Sequence, residues 1–251
     1  MARVVDQELI GADGEALADL RVDAGAVPLP RVRVLPRPGA SSSALAEALR
    51  ERFAGHRLAV RDPGLADALI ERRVPLDRAS WLMTLTLPAA VPADPDADIR
   101  PLRDAALEYG EVVWRAYPPG HPDHDMLEDS PAAAGGTVAR YLSGEIVGPL
   151  LRAASCEAWS ADGALAGFCV ISRLPADDEF AGGAWVTDVC VTPDAQGQGL
   201  GRAMLAHAIG RLGADGEPSL GLAVTRGSPA RPLYDALGFV ERLASWTFDL
   251  D

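Results

Sequence analysis

The sequence predicts an α/β protein built around a mixed sheet, and three observations carry that expectation. Short β-rich runs alternate with amphipathic helical runs through most of the chain. One β-run, Val186 to Val191, passes through a Pro-containing turn into three glycines at alternate positions and then a strong helical sequence. A Pro-, Ala- and Asp-rich stretch at 88–97, with neither helical nor alternating periodicity, divides the chain as a semi-rigid linker. A chain of 251 residues is long for one domain. The expected organisation is therefore a small α/β N-terminal domain over 1–87, a linker over 88–97 and a larger α/β domain over 98–251.

In the N-terminal segment, β-rich and helical runs predict strands over 31–35, 57–60 and 79–87 and helices over 42–53 and 64–72. In the C-terminal segment a strand is expected over 99–102 and an amphipathic helix over 104–116. Prolines 118, 119 and 122 force a loop next. Val138, Tyr141, Leu142, Ile146, Val147 and Leu150 have helical spacing, predicting a second helix over 137–154, kinked or split at Pro149. Ala161-Asp162-Gly163 joins strands over 156–160 and 164–173 into a hairpin. Strands over 185–191, 220–224 and 244–250 and helices over 201–212 and 229–237 complete the domain. Three short matches also recur in order. Leu58-Ala59-Val60, Asp67-Ala68-Leu69 and Ala79-Ser80-Trp81 parallel Leu222-Ala223-Val224, Asp235-Ala236-Leu237 and Ala244-Ser245-Trp246. Either an ancient duplication or coincidental β-α-β similarity produces such a pattern.

Composition excludes several function classes. Hydrophobic residues make up 48% of the chain and charged residues 24%, enough apolar material for a sizeable core. The net charge is −13 and no basic run occurs, which argues against nucleic-acid binding and fits either a generally acidic soluble enzyme or one that attracts a cationic partner such as an amine. The chain contains no lysine, so Schiff-base and Walker-type phosphate chemistry are excluded. Cys156, Cys169 and Cys190 form no CxxC pair and no disulfide framework. No apolar run suits a signal peptide or a membrane span, so the expectation is a cytoplasmic protein. His121, Asp123, His124 and Asp125 match no zinc spacing, and no metal is expected. His207 reads as a surface or packing residue, and Cys190 as a small core side chain rather than a nucleophile.

The strand–turn–helix element is the candidate site. Glycines at Gly197, Gly199 and Gly201 let backbone approach a ligand without an intervening Cβ. The first amides of the following helix are unpaired and sit at the positive end of its dipole. Together they make an anion cradle suited to a pyrophosphate. A Rossmann turn has the same parts, but here the pattern is not GxGxxG opening an N-terminal βαβ unit, and the strand ends in Thr192-Pro193.

This segment resembles motif A of the GNAT acetyltransferase superfamily, Gln/Arg-x-x-Gly-x-Gly/Ala, matched at Gln196, Gly199 and Gly201. Ala230-Arg-Pro-Leu-Tyr234-Asp-Ala-Leu-Gly238-Phe239 is similar to the family's Ala-x-x-Leu-Tyr-x-x-x-Gly-Phe. The resemblance covers roughly 98–251. It implies a GNAT fold, with a mixed, mostly antiparallel sheet flanked by helices, and acetyl-CoA as cosubstrate. It also implies that Gln196, Gly197, Gln198, Gly199, Leu200, Gly201 and Arg202 bind the pyrophosphate, while Val189, Cys190 and Val191 pair with the pantetheine arm. A bulge near Val191 would offer an amide to the thioester oxygen, and Tyr234 would be the general acid.

The expected function is N-acetyl transfer to a small-molecule or peptide amine; a non-catalytic acyl-CoA sensor is the alternative, and thiol or hydroxyl acceptors are a further one. Asp188 is the candidate base, with Glu108, Glu111 and Glu157 also available, since Trp185 stands where some family members have a glutamate. The family's asparagine before the tyrosine is Gly227 here, so that cofactor contact comes from the backbone, from Ser228 or not at all. The loop at 121–125 would shape the acceptor pocket. If the short repeats reflect a duplication, the N-terminal segment is half of a degenerate acetyltransferase and the whole chain resembles a tandem GNAT. The N-terminal segment lacks a glycine-rich turn, so it is not expected to bind coenzyme A. Covering a sheet edge, shaping the acceptor pocket or forming a homodimer remain for it.

Overall fold

A computed structural model of the chain describes residues 4–12, 14–23, 31–92, 94–124, 129–176 and 181–250. Its contacts define two compact units, one of residues 1–82 with 242–251 and one of residues 83–241. The stretch 88–97 therefore lies inside the second unit, and the last strand of the chain belongs to the first.

The first unit contains strands β1 (Val4–Ile10), β2 (Ala16–Asp23), β3 (Arg31–Pro36), β4 (Arg57–Val60) and most of β5 (Leu76–Thr86), with helices α1 (Ser42–Arg52) and α2 (Pro63–Glu71). β1, β2 and β3 form an antiparallel meander, and β3 runs parallel to β4. The β1–β2 hairpin has no counterpart among the expected elements. Both helices begin as their sequences dictate: Ser41 caps α1 by accepting from the Ala44 amide, and Asp62 caps α2 ahead of Pro63.

The chain's final strand, β11 (Val240–Asp249), lies antiparallel to β4, with Asp249 opposite Arg57. Their side chains make a two-pronged ion pair at 2.7 and 3.0 Å. Leu45, Leu49, Leu58, Leu65, Leu69 and Phe248 fill the core of this unit. Burying one such side chain contributes about 1.5–3 kcal/mol. An exposed ion pair such as Arg37–Asp19 is screened by solvent and adds little, so apolar packing holds the unit together.

The second unit holds β6 (Asp98–Pro101), α3 (Ala106–Ala116), α4 (Pro131–Leu142), β7 (Cys156–Trp159), β8 (Leu165–Leu174), β9 (Gly183–Val191), α5 (Leu200–Ala214), β10 (Ser219–Thr225) and α6 (Arg231–Leu237). β6, β7, β8 and β9 are successively antiparallel, and β10 joins β9 in parallel. The expected mixed, mostly antiparallel sheet flanked by helices is thus present. From β7 onward the second segment repeats the order of the first, three antiparallel strands and then α-β-α-β, with the third and fourth of these strands parallel in each; β6, α3 and α4 have no counterpart among the described residues of the first.

The second helix departs from the expectation. It occupies Pro131–Leu142 rather than 137–154, because Ser130 caps it and Pro131 opens it. Gly144, Val147 and Gly148 take positive φ, which no right-handed helix tolerates. Leu150 instead bridges to Ser172 on β8. α4 crosses α3 through glycines: a Cβ on Gly110 would stand 2.4 Å from the Gly135 nitrogen and from the Pro131 carbonyl oxygen. Tyr109, Val112, Val113, Val138, Phe168 and Val170 form the core beneath this pair.

Candidate active site

The parallel ladder between β9 and β10 covers only Ala184 with Leu220 and Trp185 with Gly221. Beyond these pairs the strands carry no shared ladder, so the backbone of the second half of β9 is open to a ligand on that side. On its other side β9 stays paired with β8 as far as Val191. Gly167 permits this closeness, since a Cβ there would meet the Cys190 carbonyl oxygen at 2.5 Å.

β9 then leaves through a short 3-10 turn, Pro193–Ala195, into the glycine loop. The Gln196 side-chain amide donates to the Val191 carbonyl at 3.1 Å, folding the loop back onto the strand. The Gln198 amide does the same to the Asp194 carbonyl at 3.2 Å. Gly197 and Gly199 have φ of 78° and 80°, and residues 196–199 are exposed. Gly199 precedes α5 and, having no side chain, leaves the helix start without a side-chain cap. The amides of Leu200, Gly201 and Arg202 thus have no intrahelical acceptor. α1 differs here, because the Ser41 hydroxyl already occupies one such amide. A Cβ on Gly197 would meet nothing within 4 Å, and one on Gly201 would reach only Leu233 at 3.6 Å and Val191 at 3.9 Å. These residues fit a pyrophosphate group approaching the start of α5.

Tyr234 sits on α6, whose end is a Schellman turn. Gly238 takes φ 89°, its amide bonds the Asp235 carbonyl, and the Phe239 amide bonds the Tyr234 carbonyl. The turn brings the Phe239 ring edge-on to the Tyr234 ring at 6.0 Å. Tyr234 is buried, and no acceptor among the described residues takes its hydroxyl proton. Burial first, then the negative charge available at Asp123, Cys169, Asp188 and Cys190, pushes the phenol well above its ordinary value. Ser228, beside Gly227, receives the Ala230 amide on its hydroxyl and so caps the approach to α6.

Asp188 is half-buried on β9, next to a bulge. The β8 register passes from Asp188 to Val186, which leaves Thr187 as the extra residue, not a residue near Val191 as expected. The Thr187 hydroxyl donates to the buried Ser172 hydroxyl at 2.7 Å, pinning the bulge. Tyr117, at the end of α3, was not among the expected site residues. Its hydroxyl lies 3.2 Å from Asp188 Oδ1 and 3.3 Å from the Val189 carbonyl oxygen.

Two other candidate bases are engaged elsewhere. Glu157 is fully buried against the Arg103 guanidinium at 2.8 Å and the Tyr109 hydroxyl at 2.8 Å, and Arg103 also holds Glu108. Glu111 is exposed on α3 and His207 is exposed on α5. Cys156, Cys169 and Cys190 are all buried and none forms a disulfide, and burial, helped by the nearby Glu157, pushes the Cys156 thiol up to about 12. The loop residues His121, Asp123 and His124 lie beside Tyr117 and Trp114, while Asp125 falls outside the described residues. Among the described residues no group of three or more His, Cys, Asp or Glu could hold a metal ion, and no helix is long and apolar enough to cross a membrane.

The family profile for the acetyltransferase (GNAT) domain matches residues 154–241, from the start of β7 through α6. The chain carries a GNAT-superfamily domain. The general chemistry of GNAT acetyltransferases is acyl-CoA-dependent acetyl transfer. Among curated protein sequences, none matches the chain.

Solved structures share its fold at low identity. A GCN5-related N-acetyltransferase from Sphaerobacter thermophilus is 19% identical, with a TM-score of 0.63 over 95% of this chain and 78% of its own. A protein of unknown function from Staphylococcus epidermidis is 13% identical, with a TM-score of 0.63 over 96% and 94%. A tandem GNAT protein from the clavulanic acid biosynthesis pathway is 20% identical, with a TM-score of 0.53 over 96% and 81%. Within this GNAT domain the glycine loop, Asp188 and Tyr234 all fall inside the matched residues.

Proposed function

We propose that this GNAT protein is an acetyl-CoA-dependent N-acetyltransferase that passes an acetyl group directly to an amine of a small molecule or peptide. The observation that carries the reading is the early end of the β9–β10 ladder, followed by the Gly197–Gly199 turn and the uncapped start of α5. Acetyl-CoA supplies the activated acyl group. Amides from Gly197 to Arg202 bind its pyrophosphate, Gln196 keeps the loop in shape, and Val189, Cys190 and Val191 line the pantetheine arm. An amide of β9 donates to the thioester oxygen, and such a preorganised donor lowers the barrier by about 3 kcal/mol.

Asp188 removes a proton from the acceptor ammonium, so that the neutral amine attacks. Tyr234 gives its proton to the departing sulfur, a role that suits a phenol kept neutral by its surroundings. Acceptor recognition falls to the end of α3 and to His121 and Asp123. We place the catalytic domain at 98–251, behind the 88–97 stretch, and read 1–87 as half of a degenerate acetyltransferase. The repeated strand and helix order supports that assignment. We assign the protein to the cytoplasm.

Thiol release from acetyl-CoA, measured with a panel of amines and compared with Tyr234→Phe, tests the reading. Release dependent on an amine and reduced at least a hundredfold in the variant is expected. Tight coenzyme A binding without turnover on any amine would instead identify an acyl-CoA sensor, the reading that Gly227 in place of asparagine favours. Turnover confined to thiols or alcohols would reassign the acceptor class.

A further inference from the structure

We propose that Tyr117 is a positioning residue for acyl transfer: its hydroxyl holds the Asp188 carboxylate in one orientation, through both the proton-free and the proton-bound state of that carboxylate. The proposal rests on the reading of Asp188 as the base.

The hydroxyl has one hydrogen and two acceptors at similar range, Asp188 Oδ1 at 3.2 Å and the Val189 carbonyl oxygen at 3.3 Å. While Asp188 is ionised, the phenol donates to it, since a charge-assisted bond is roughly twice as strong as a neutral one. Once Asp188 has taken the acceptor's proton, its new O–H can donate to the Tyr117 oxygen while the phenol hydrogen turns to Val189. No bond to carbon changes, and the proton count is conserved.

The Tyr117 ring is itself held. Its amide bonds the Val113 carbonyl at 2.9 Å, His124 Nδ1 meets its carbonyl at 2.8 Å, and the His121 ring lies 5.1 Å away. Burial and the neighbouring Asp188, Cys190, Tyr234 and Asp123 keep the phenol protonated, so it remains a donor. Those groups, with Cys169 on β8 and His121 and His124 on the loop after α3, are the titratable neighbours around the Tyr117 and Tyr234 phenols. On the other side of Asp188 the Thr187–Ser172 bond fixes the backbone bulge. The carboxylate is thus constrained from its backbone and from its tip.

The test follows the Asp188 carboxyl by carbon-13 NMR titration in wild type and Tyr117→Phe, and also the acid limb of kcat/KM. Removing a donor to the ionised form should raise both midpoints by about one pH unit. It should lower kcat about tenfold, with the KM for acetyl-CoA within twofold. Tyr117→Phe should cost much less in an Asp188→Asn background. Unchanged midpoints, with the protein folded to the same melting temperature, would overturn the proposal. Full activity in Asp188→Asn would overturn both the proposal and the base assignment. A raised NMR midpoint in a protein that releases no thiol would support the contact and defeat only the proposed activity.

Discussion

An Oδ2 atom of Asp94 stands 3.8 Å from the point a Cβ on Gly199 would occupy. At the other end of α5, Pro88 lies 3.5 Å from the corresponding point on Gly213. Six residue steps of extended chain reach about 20 Å. The helix between these glycines rises about 21 Å. Pro88 and Asp94 therefore stand at opposite ends of α5, and Asp94 sets a carboxylate at the positive end of its dipole.

Asp94 thus competes with a phosphate for the same field. Asp94→Asn should tighten coenzyme A binding by roughly threefold at low ionic strength, with the difference fading in concentrated salt. Titration calorimetry at two salt concentrations reads this directly. Weaker binding by the variant would mean that Asp94 supports the loop instead of opposing the ligand.

Tyr234 should impose no basic limit on activity below pH 10. Its pKa is raised in the folded protein, so the hydroxyl is still protonated where a free tyrosine would be losing its proton. Thiol release from pH 7 to 10 should show no basic inflection that vanishes in Tyr234→Phe. An inflection near pH 8–9 belonging to Tyr234 would contradict its role as a proton donor held neutral by burial.

The strand–turn–helix was legible because each of its parts has a local signature. The β-run, the left-handed turn that calls for glycine at 197 and 199, and a helix start without a capping side chain all lie within a few residues. β4 likewise falls on its expected residues, 57–60. α4 was misplaced because Val138 to Leu150 satisfies a helical period over many residues. The deciding signals are Ser130-Pro131 ahead of that window and the left-handed Gly144, Val147 and Gly148 within it. The pairings of Tyr117 with Asp188 and of Arg103 with Glu157 span 71 and 54 residues, and no periodicity links such partners. Glu157 in a β-run reads as a carboxylate available for base duty until its partner is known.

Arg103 is expected to matter for stability and not for chemistry. Glu157 is 1% exposed and relies on Arg103 and Tyr109 for compensation. Arg103→Met leaves a buried carboxylate with the phenol alone, which should cost about 3 kcal/mol. The guanidinium is partly exposed, so water offsets some of the loss. Denaturant unfolding should show a lower midpoint, while the KM for acetyl-CoA stays unchanged. A large rise in that KM without destabilisation would place the Arg103–Glu157 pair in the acyl-CoA site.

The central claim is that the α5 start binds the coenzyme A pyrophosphate, and Gly201→Glu tests it most directly, since the family pattern admits alanine at this position but no acid. The first carbon of the new side chain meets only Leu233 and Val191 at ordinary contact distances, and an acid suits the first turn of a helix, so the protein itself should keep its stability. Its carboxylate would stand where the phosphates approach the backbone and repel them. Calorimetric titration should show coenzyme A binding to wild type at least tenfold more tightly than to the variant, with pantetheine binding both alike. Equal coenzyme A affinity in the two folded proteins would contradict the account.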